Sequence, residues 1–195
     1  MAKSYKTIAE PSEGFYKEKG SKFLAHAYPV LSVDSIKERV DQLKKKYHDA
    51  RHHCFAFILG LDNPQIRAND DGEPNHSAGD PILGQIRSFE LVDVLVVVVR
   101  YFGGTKLGVG GLIHAYKSAA EDALAHAKIK TIQIKTQFNL SFKYEQTSEL
   151  MRILNDFQVE IINQSFTDIC ELEGKVEPEI YDQLKGKLAI LKIDI

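Results

Sequence analysis

Between Val94 and Val99 the chain runs Val-Leu-Val-Val-Val-Val without a polar interruption, and no other segment limits the fold as tightly. A strand wetted on one face would alternate apolar with polar residues, so this one must be covered on both faces at the centre of a sheet. The run is far too short to span a bilayer as a helix. It delivers the chain directly into Arg100-Tyr-Phe-Gly-Gly-Thr-Lys-Leu-Gly-Val-Gly-Gly111, which places five glycines in nine positions. Downstream, Leu112, Tyr116, Ala119, Ala120, Ala123 and Ala127 recur along one face of a helix whose small residues permit close packing on the sheet.

Upstream, Lys19-Gly20 reads as the turn of an opening hairpin, between extended segments 15–20 and 21–30. Ser35 and Glu38 have capping-box spacing ahead of Ile36, Val40, Leu43 and Tyr47, which predicts an amphipathic helix to about His48. His53–Gly60 reads as a buried strand, and Leu61–Gly79 as a long loop without regular structure. Asp80-Pro81 looks like an N-cap followed by proline at the first helical position. These elements form a first domain, residues 1–132. Residues 133–195 then read as a strand carrying Phe138, Leu140 and Phe142, a helix, strands over 159–163 and 166–172, a helix from Pro178 and a last strand over 189–193. That βαββαβ order predicts a small ferredoxin-like domain, which makes the whole chain α+β.

The glycine-rich segment is the leading candidate site. Glycines 103, 104, 108, 110 and 111 clear the Cβ atoms that would keep a ligand from the backbone, and a helix start adds unpaired N–H groups and a positive dipole end. Arg100 and Lys106 could add charge-assisted contacts to an anion, and Tyr101 and Phe102 could stack on a base. A purely conformational turn is the plainer alternative. The P-loop ending is absent because Val109 follows Gly108, and Gly108-Val-Gly110-Gly-Leu-Ile113 lacks the last glycine of a dinucleotide fingerprint.

A second candidate is Asp70-Asp71-Gly72-Glu73-Pro74, where the carboxylates of Asp70, Asp71 and Glu73 could hold Mg²⁺ or orient a basic partner. A solvated turn explains the same residues. Arg51-His52-His53-Cys54 invites a zinc reading, but neighbours on a strand point to opposite faces and there is no second Cys/His cluster. No catalytic residue is assigned.

With 25 Lys plus Arg against 27 Asp plus Glu there is no global basic field, so any nucleic-acid contact must come from a local patch. Residues 1–132 carry a net charge of +2 and residues 133–195 carry −4, which puts the basic character in the first domain. Cys54 and Cys170 have no paired spacing, as expected for buried thiols in a cytoplasmic protein.

Taken together, Gly20-Ser-Lys-Phe23, Ala50-Arg-His-His-Cys54, Asp70-Asp-Gly-Glu-Pro74, Ala78-Gly79 and Val97 through Leu112 resemble the IMPACT family in its bacterial YigZ-type branch. Asn75-His76-Ser77 departs from the Ser-Gly-Thr type of sequence expected there. The resemblance implies a first domain like a ribosomal-protein domain, a mixed sheet with helices packed on it. It implies a second domain similar to a late domain of elongation factor G. It also implies a link to translation, with RNA or a ribosome-associated partner and a phosphate-bearing ligand as expected contacts. A metabolite- or nucleotide-binding enzyme and a protein–protein adaptor are the competing readings, and neither requires a membrane.

Overall fold

A computed structural model describes residues 4–167, 169–193 and 195. Its internal contacts separate a unit of residues 5–132 from one built mainly of residues 133–195.

The first unit runs β1 (Ser4–Ile8), β2 (Ser12–Glu18), β3 (Ser21–Pro29), α1 (Val33–Lys46), β4 (His52–Leu59), β5 (Gln65–Asn69), α2 (Gly79–Ser88), β6 (Val94–Tyr101), α3 (Gly108–Ala125) and β7 (Ile129–Gln133). β1 and β7 pair by themselves, and the main sheet has the order β2-β3-β6-β4-β5. Residues 94–99 of β6 are fully buried, as an uninterrupted aliphatic strand requires. Because side chains alternate along a strand, Val94, Val96 and Val98 enter the core beneath α2 and α3, while Leu95 and Val97 meet Ile36, Val40 and Leu43 of α1. Each such buried side chain contributes about 1.5–3 kcal/mol relative to exposure. The same alternation assigns the next two residues: Arg100 falls on the α2–α3 side and Tyr101 on the α1 side.

Every ladder of the five-stranded sheet is antiparallel, which corrects the expected mixed sheet. The crossover through α1 does bring β3 and β4 into parallel orientation, but β6 lies between them and pairs antiparallel with both. The supposed loop 61–79 contains β5, an edge strand paired with β4 from Phe55↔Asn69 to Leu59↔Gln65. Its alternation is confined to five residues with only Ile66 and Ala68 apolar, and Ile66 is exposed, so the strand does not stand out from its polar surroundings.

Two helix starts also differ from expectation. Ser32, not Ser35, caps α1, and Ser35 is the reciprocal partner three residues in. Asp80 lies inside the first turn of α2, whose cap position is Ala78 and whose side-chain support comes from Asp70, described below.

The second unit contains β8 (Thr136–Phe142), a 3-10 turn (Tyr144–Gln146), α4 (Thr147–Asp156), β9 (Glu160–Phe166), β10 (Cys170–Val176) and α5 (Pro178–Ile190). Its antiparallel sheet has the order β8-β10-β9, and Phe138, Leu140, Phe142, Leu150, Leu154, Leu172, Leu184 and Leu188 form its core. The expected closing strand over 189–193 is not found among the described residues, so the order is βαββα. Ala189 and Ile190 are the last turn of α5, and Leu191-Lys192 form the turn that returns Ile193 to the core. Leu184, Leu188 and Leu191 follow helical spacing, which overrides the short apolar run that resembled a strand. Among the described residues no helix is long and apolar enough to cross a membrane.

Candidate functional site

At the end of β6 the alternation turns Arg100 inward, where it is only 7% exposed. A buried guanidinium needs a counter-charge. Glu73, brought over by the turn after β5, supplies it: Arg100 Nη1 donates to Glu73 Oε1 at 2.6 Å. The Tyr116 hydroxyl, from the middle of α3, donates to the same oxygen at 2.8 Å, and Cys54 Sγ lies 3.3 Å from that hydroxyl. Burial raises the Tyr116 phenol well above its ordinary range, and proximity to Cys54 and Glu73 raises it further. Burial likewise pushes the Cys54 thiol up, with the nearby carboxylates adding to the effect and only the contact in which the thiol donates to the Tyr116 hydroxyl opposing it. Cys54 is therefore an unreactive thiol at neutral pH. The guanidinium carbon lies 5.6 Å from the Phe23 ring centroid and 5.7 Å from that of Phe102. Arg100 Nε is buried with no hydrogen-bond partner.

The three carboxylates of the acidic turn do not converge. Asp70 accepts backbone N–H bonds from His76, Ala78 and Gly79 at 2.8–2.9 Å, so it closes the turn and caps α2. Burial acts to raise its pKa, but those three donors outweigh it and hold the carboxyl below its usual value. Asp71 accepts from the His53 amide at 2.7 Å and sits 3.5 Å from Lys44. Glu73 is taken by Arg100 and Tyr116. Among the described residues no group of three or more His, Cys, Asp or Glu is arranged to hold a metal ion. His52 Nδ1 is 2.9 Å from the Asp71 carbonyl oxygen and His53 is buried on the opposite face of β4, so the two rings are engaged separately.

The five glycines divide by role. Gly103 packs against the β2–β3 turn so closely that a Cβ would overlap the backbone of Gly20 and Ser21, and its N–H donates to Ser21 Oγ at 3.1 Å. Gly104 and Gly108 occupy positive φ, +86° and +71°. Gly111 sits against Leu107, where an added Cβ would come 3.0 Å from the leucine Cβ. Gly110 is different: its φ is ordinary and nothing lies within 4 Å of where a Cβ would be. Gly108, Gly110 and Gly111 belong to the first turn of α3 itself, not to a turn before it. That helix start has Leu107 at the cap position and no side-chain cap, leaving its first N–H groups directed outward.

These features surround a cleft of about 480 Å³ lined by Arg51, His52, Glu73, Pro74, Arg100, Phe102, Lys106, Leu107, Gly108, Val109 and Leu112. Arg51 and Lys106 are exposed at its rim. Tyr101 is not part of it: its hydroxyl donates to Asp49 at 2.7 Å on the other side of the sheet, and that bond raises the phenol to about 12. Asp70 and Asp71 do not line it. Sequence reasoning missed the contributions of Arg51 and Tyr116. Arg51 stands beside a histidine pair that drew attention to metals, and Tyr116 is indistinguishable from other apolar-face residues of α3.

This arrangement defines a class: a two-unit α+β protein whose central strand delivers a buried, carboxylate-paired arginine beneath an uncapped, glycine-rich helix start. The chain belongs to the IMPACT family, since the family model of the Impact N-terminal domain matches residues 19–124. It is 32% identical over 177 residues to IMPACT family member YvyE of Bacillus subtilis (strain 168), covering 91% of this chain and 82% of the relative. It is 30% identical over 186 residues to IMPACT family member YigZ of Escherichia coli (strain K12), covering 90% and 91%. Such similar identities do not separate a YigZ-type branch from other bacterial members. A crystal structure of a hypothetical protein matches with a TM-score of 0.73 at 30% identity, covering 98% of this chain and 94% of that one.

Proposed function

We propose that this protein is a translation-linked regulatory, RNA- or ribosome-binding member of the IMPACT family, of the YigZ type, that holds a phosphate-bearing ligand at the start of α3. The observation that carries this reading is the convergence of three features on one cleft: the uncapped N-terminus of an 18-residue helix, the exposed cations Arg51 and Lys106, and the buried Arg100 with its unpartnered Nε. Aligned N–H groups and the helix dipole favour an anion there, and guanidinium and ammonium groups add charge-assisted bonds. The open space at Gly110 supports the same reading, because neither fold geometry nor packing calls for glycine at that position. The divergent carboxylates of the acidic turn give no support to a metal-dependent enzyme. Their role here is internal: Glu73 neutralises Arg100, so the ligand's charge is met mainly by Arg51, Lys106 and the helix start.

Arg100 is the wrong residue to remove in a test, since its loss strands Glu73 in the interior. The informative variants are Arg51→Ala with Lys106→Ala, and Gly110→Ala alone. With inorganic tripolyphosphate as the probe, calorimetry on the double variant is expected to show affinity reduced at least about tenfold, since a hydrogen bond to a charged group contributes about 1.5–3 kcal/mol. Gly110→Ala is expected to weaken binding comparably with no loss of thermal stability. Wild-type affinity in both variants would remove the anion site from α3.

A further inference from the structure

We propose that the phosphate-bearing ligand is unpaired RNA, whose bases stack on an aromatic and lysine-rich sheet face that adjoins the α3 cleft through Phe102. The inference rests on the anion-site reading above and extends it across the sheet. Cross-strand partners share a face, and the registers Lys17↔Lys22, Phe15↔Leu24 and Lys22↔Tyr101 put Phe15, Lys17, Lys22, Leu24 and Tyr101 on one side of β2, β3 and β6. α1 covers this side further along the strands, with its buried residues over Leu95 and Val97, and leaves this end open. A second cleft of about 520 Å³ lies there, lined by Phe15, Lys22, Leu24, Tyr47, Tyr101 and Phe102.

Several observations suit this face to bases. Phe15 is 48% and Phe102 57% exposed, and the two phenylalanines line the same cleft. Phe102 lines both clefts, so a strand with a phosphate at α3 meets the aromatic face without crossing intervening structure. Tyr101 is held in place by its bond to Asp49, and Lys46 lies 4.9 Å from the Tyr47 ring centroid, which fixes two rings of the platform before any ligand arrives. Lys17 and Lys22 are exposed beside the rings. Of the acids on this side, Asp49 accepts the Tyr101 hydroxyl, and Glu13 lies exposed with one carboxylate oxygen 3.1 Å from His26 Nδ1. Aromatic rings interleaved with cations, continuous with a phosphate site, match the requirements of an unpaired strand. A duplex buries its base faces in its own stack and offers an aromatic platform no ring to stack on along its length.

The test is fluorescence anisotropy with a labelled 12-nucleotide single-stranded RNA, the duplex of the same sequence, and tripolyphosphate as an unlabelled competitor. The wild type is compared with Phe15→Ala and with Phe15→Tyr, a position that lines only the second cleft. The wild type is expected to prefer the single strand at least about tenfold. The alanine variant should lose roughly five- to hundredfold in single-strand affinity, as expected for lost base stacking. Its tripolyphosphate affinity should be unchanged, and Phe15→Tyr should restore RNA binding. Equal binding of single strand and duplex, or an alanine variant that binds RNA as the wild type does while tripolyphosphate still binds, would overturn this inference and leave the anion site standing. Failure of tripolyphosphate to bind the wild type would sink the anion site and this inference together. Tight, salt-resistant capture of an acidic peptide in place of RNA would assign the face to a protein partner and also overturn it.

Discussion

Replacing Glu73 by alanine is expected to destabilise the first unit by about 3–5 kcal/mol, the cost of leaving one member of a buried ion pair without its partner. Arg100 is buried, its Nε already lacks a partner, and Glu73 Oε1 is the acceptor for both Arg100 Nη1 and the Tyr116 hydroxyl. Removing that one oxygen therefore strands a charge and a hydroxyl together, in a core shared by β4, β6 and α3. Glu73→Gln keeps an amide oxygen for Tyr116 but not the charge, and should fall between wild type and alanine. Urea denaturation of the three proteins, followed by circular dichroism, checks the order. The cycle with Arg100→Leu adds a sharper expectation: the double variant should be more stable than either single one, because a neutral, apolar pair no longer buries a lone charge. Glu73→Ala with wild-type stability would mean that the pair is solvated and that this buried network is not what anchors the acidic turn.

Gly103→Ala is expected to cost about 3 kcal/mol, at the upper end for overpacking. The added methyl group would overlap the backbone of Gly20 and Ser21, and backbone in a tight turn cannot step aside as a flexible side chain can. Lys19 and Gly20 already hold positive φ, 44° and 82°, so the turn has little room to relax. Gly103 thus sets the distance between the β2–β3 hairpin and the exit of β6, the place where Phe102 passes between the two clefts. Gly110→Ala, in the same segment, is expected to leave the melting temperature unchanged or slightly raised, because alanine is the better helix former and its site is empty. Thermal melts of the two variants side by side check the contrast. Equal stability would show that the five glycines do not divide into packing and access roles.

Much of the scaffold was legible in residue pattern. The run Val94–Val99 announced a central buried strand, and Lys19-Gly20 announced the hairpin, because each is a local signal with one physical solution. The edge strand Gln65–Asn69 was not legible, since two apolar residues, Ile66 and Ala68, are too short a pattern to stand out within a polar segment, and the strand borrows its order from β4. The antiparallel sheet was hidden because the position of β6 between β3 and β4 is decided by packing, not by the α1 crossover that joins them. The closing strand of the second unit was misread because a five-residue, mostly apolar run cannot be told from a last helical turn by pattern alone. At the candidate site, the glycine segment and Arg100 stand out in sequence, and both border the cleft at the start of α3. The pairing of Arg100 with Glu73 was not, since 27 residues separate them and the carboxylate cluster suggested a shared ligand. The opposite-facing Tyr101 follows from strand alternation once β6 is known to extend through it.

The most direct test of the central claim is a nitrogen–proton correlation spectrum of the labelled protein titrated with inorganic tripolyphosphate. Saturable shifts concentrated at the amides of Gly108, Val109 and Gly110, reversed by salt and absent in Arg51→Ala/Lys106→Ala, are the predicted result. Shifts spread over the lysines of α1 or confined to other surfaces, with the α3 amides unmoved, would contradict it.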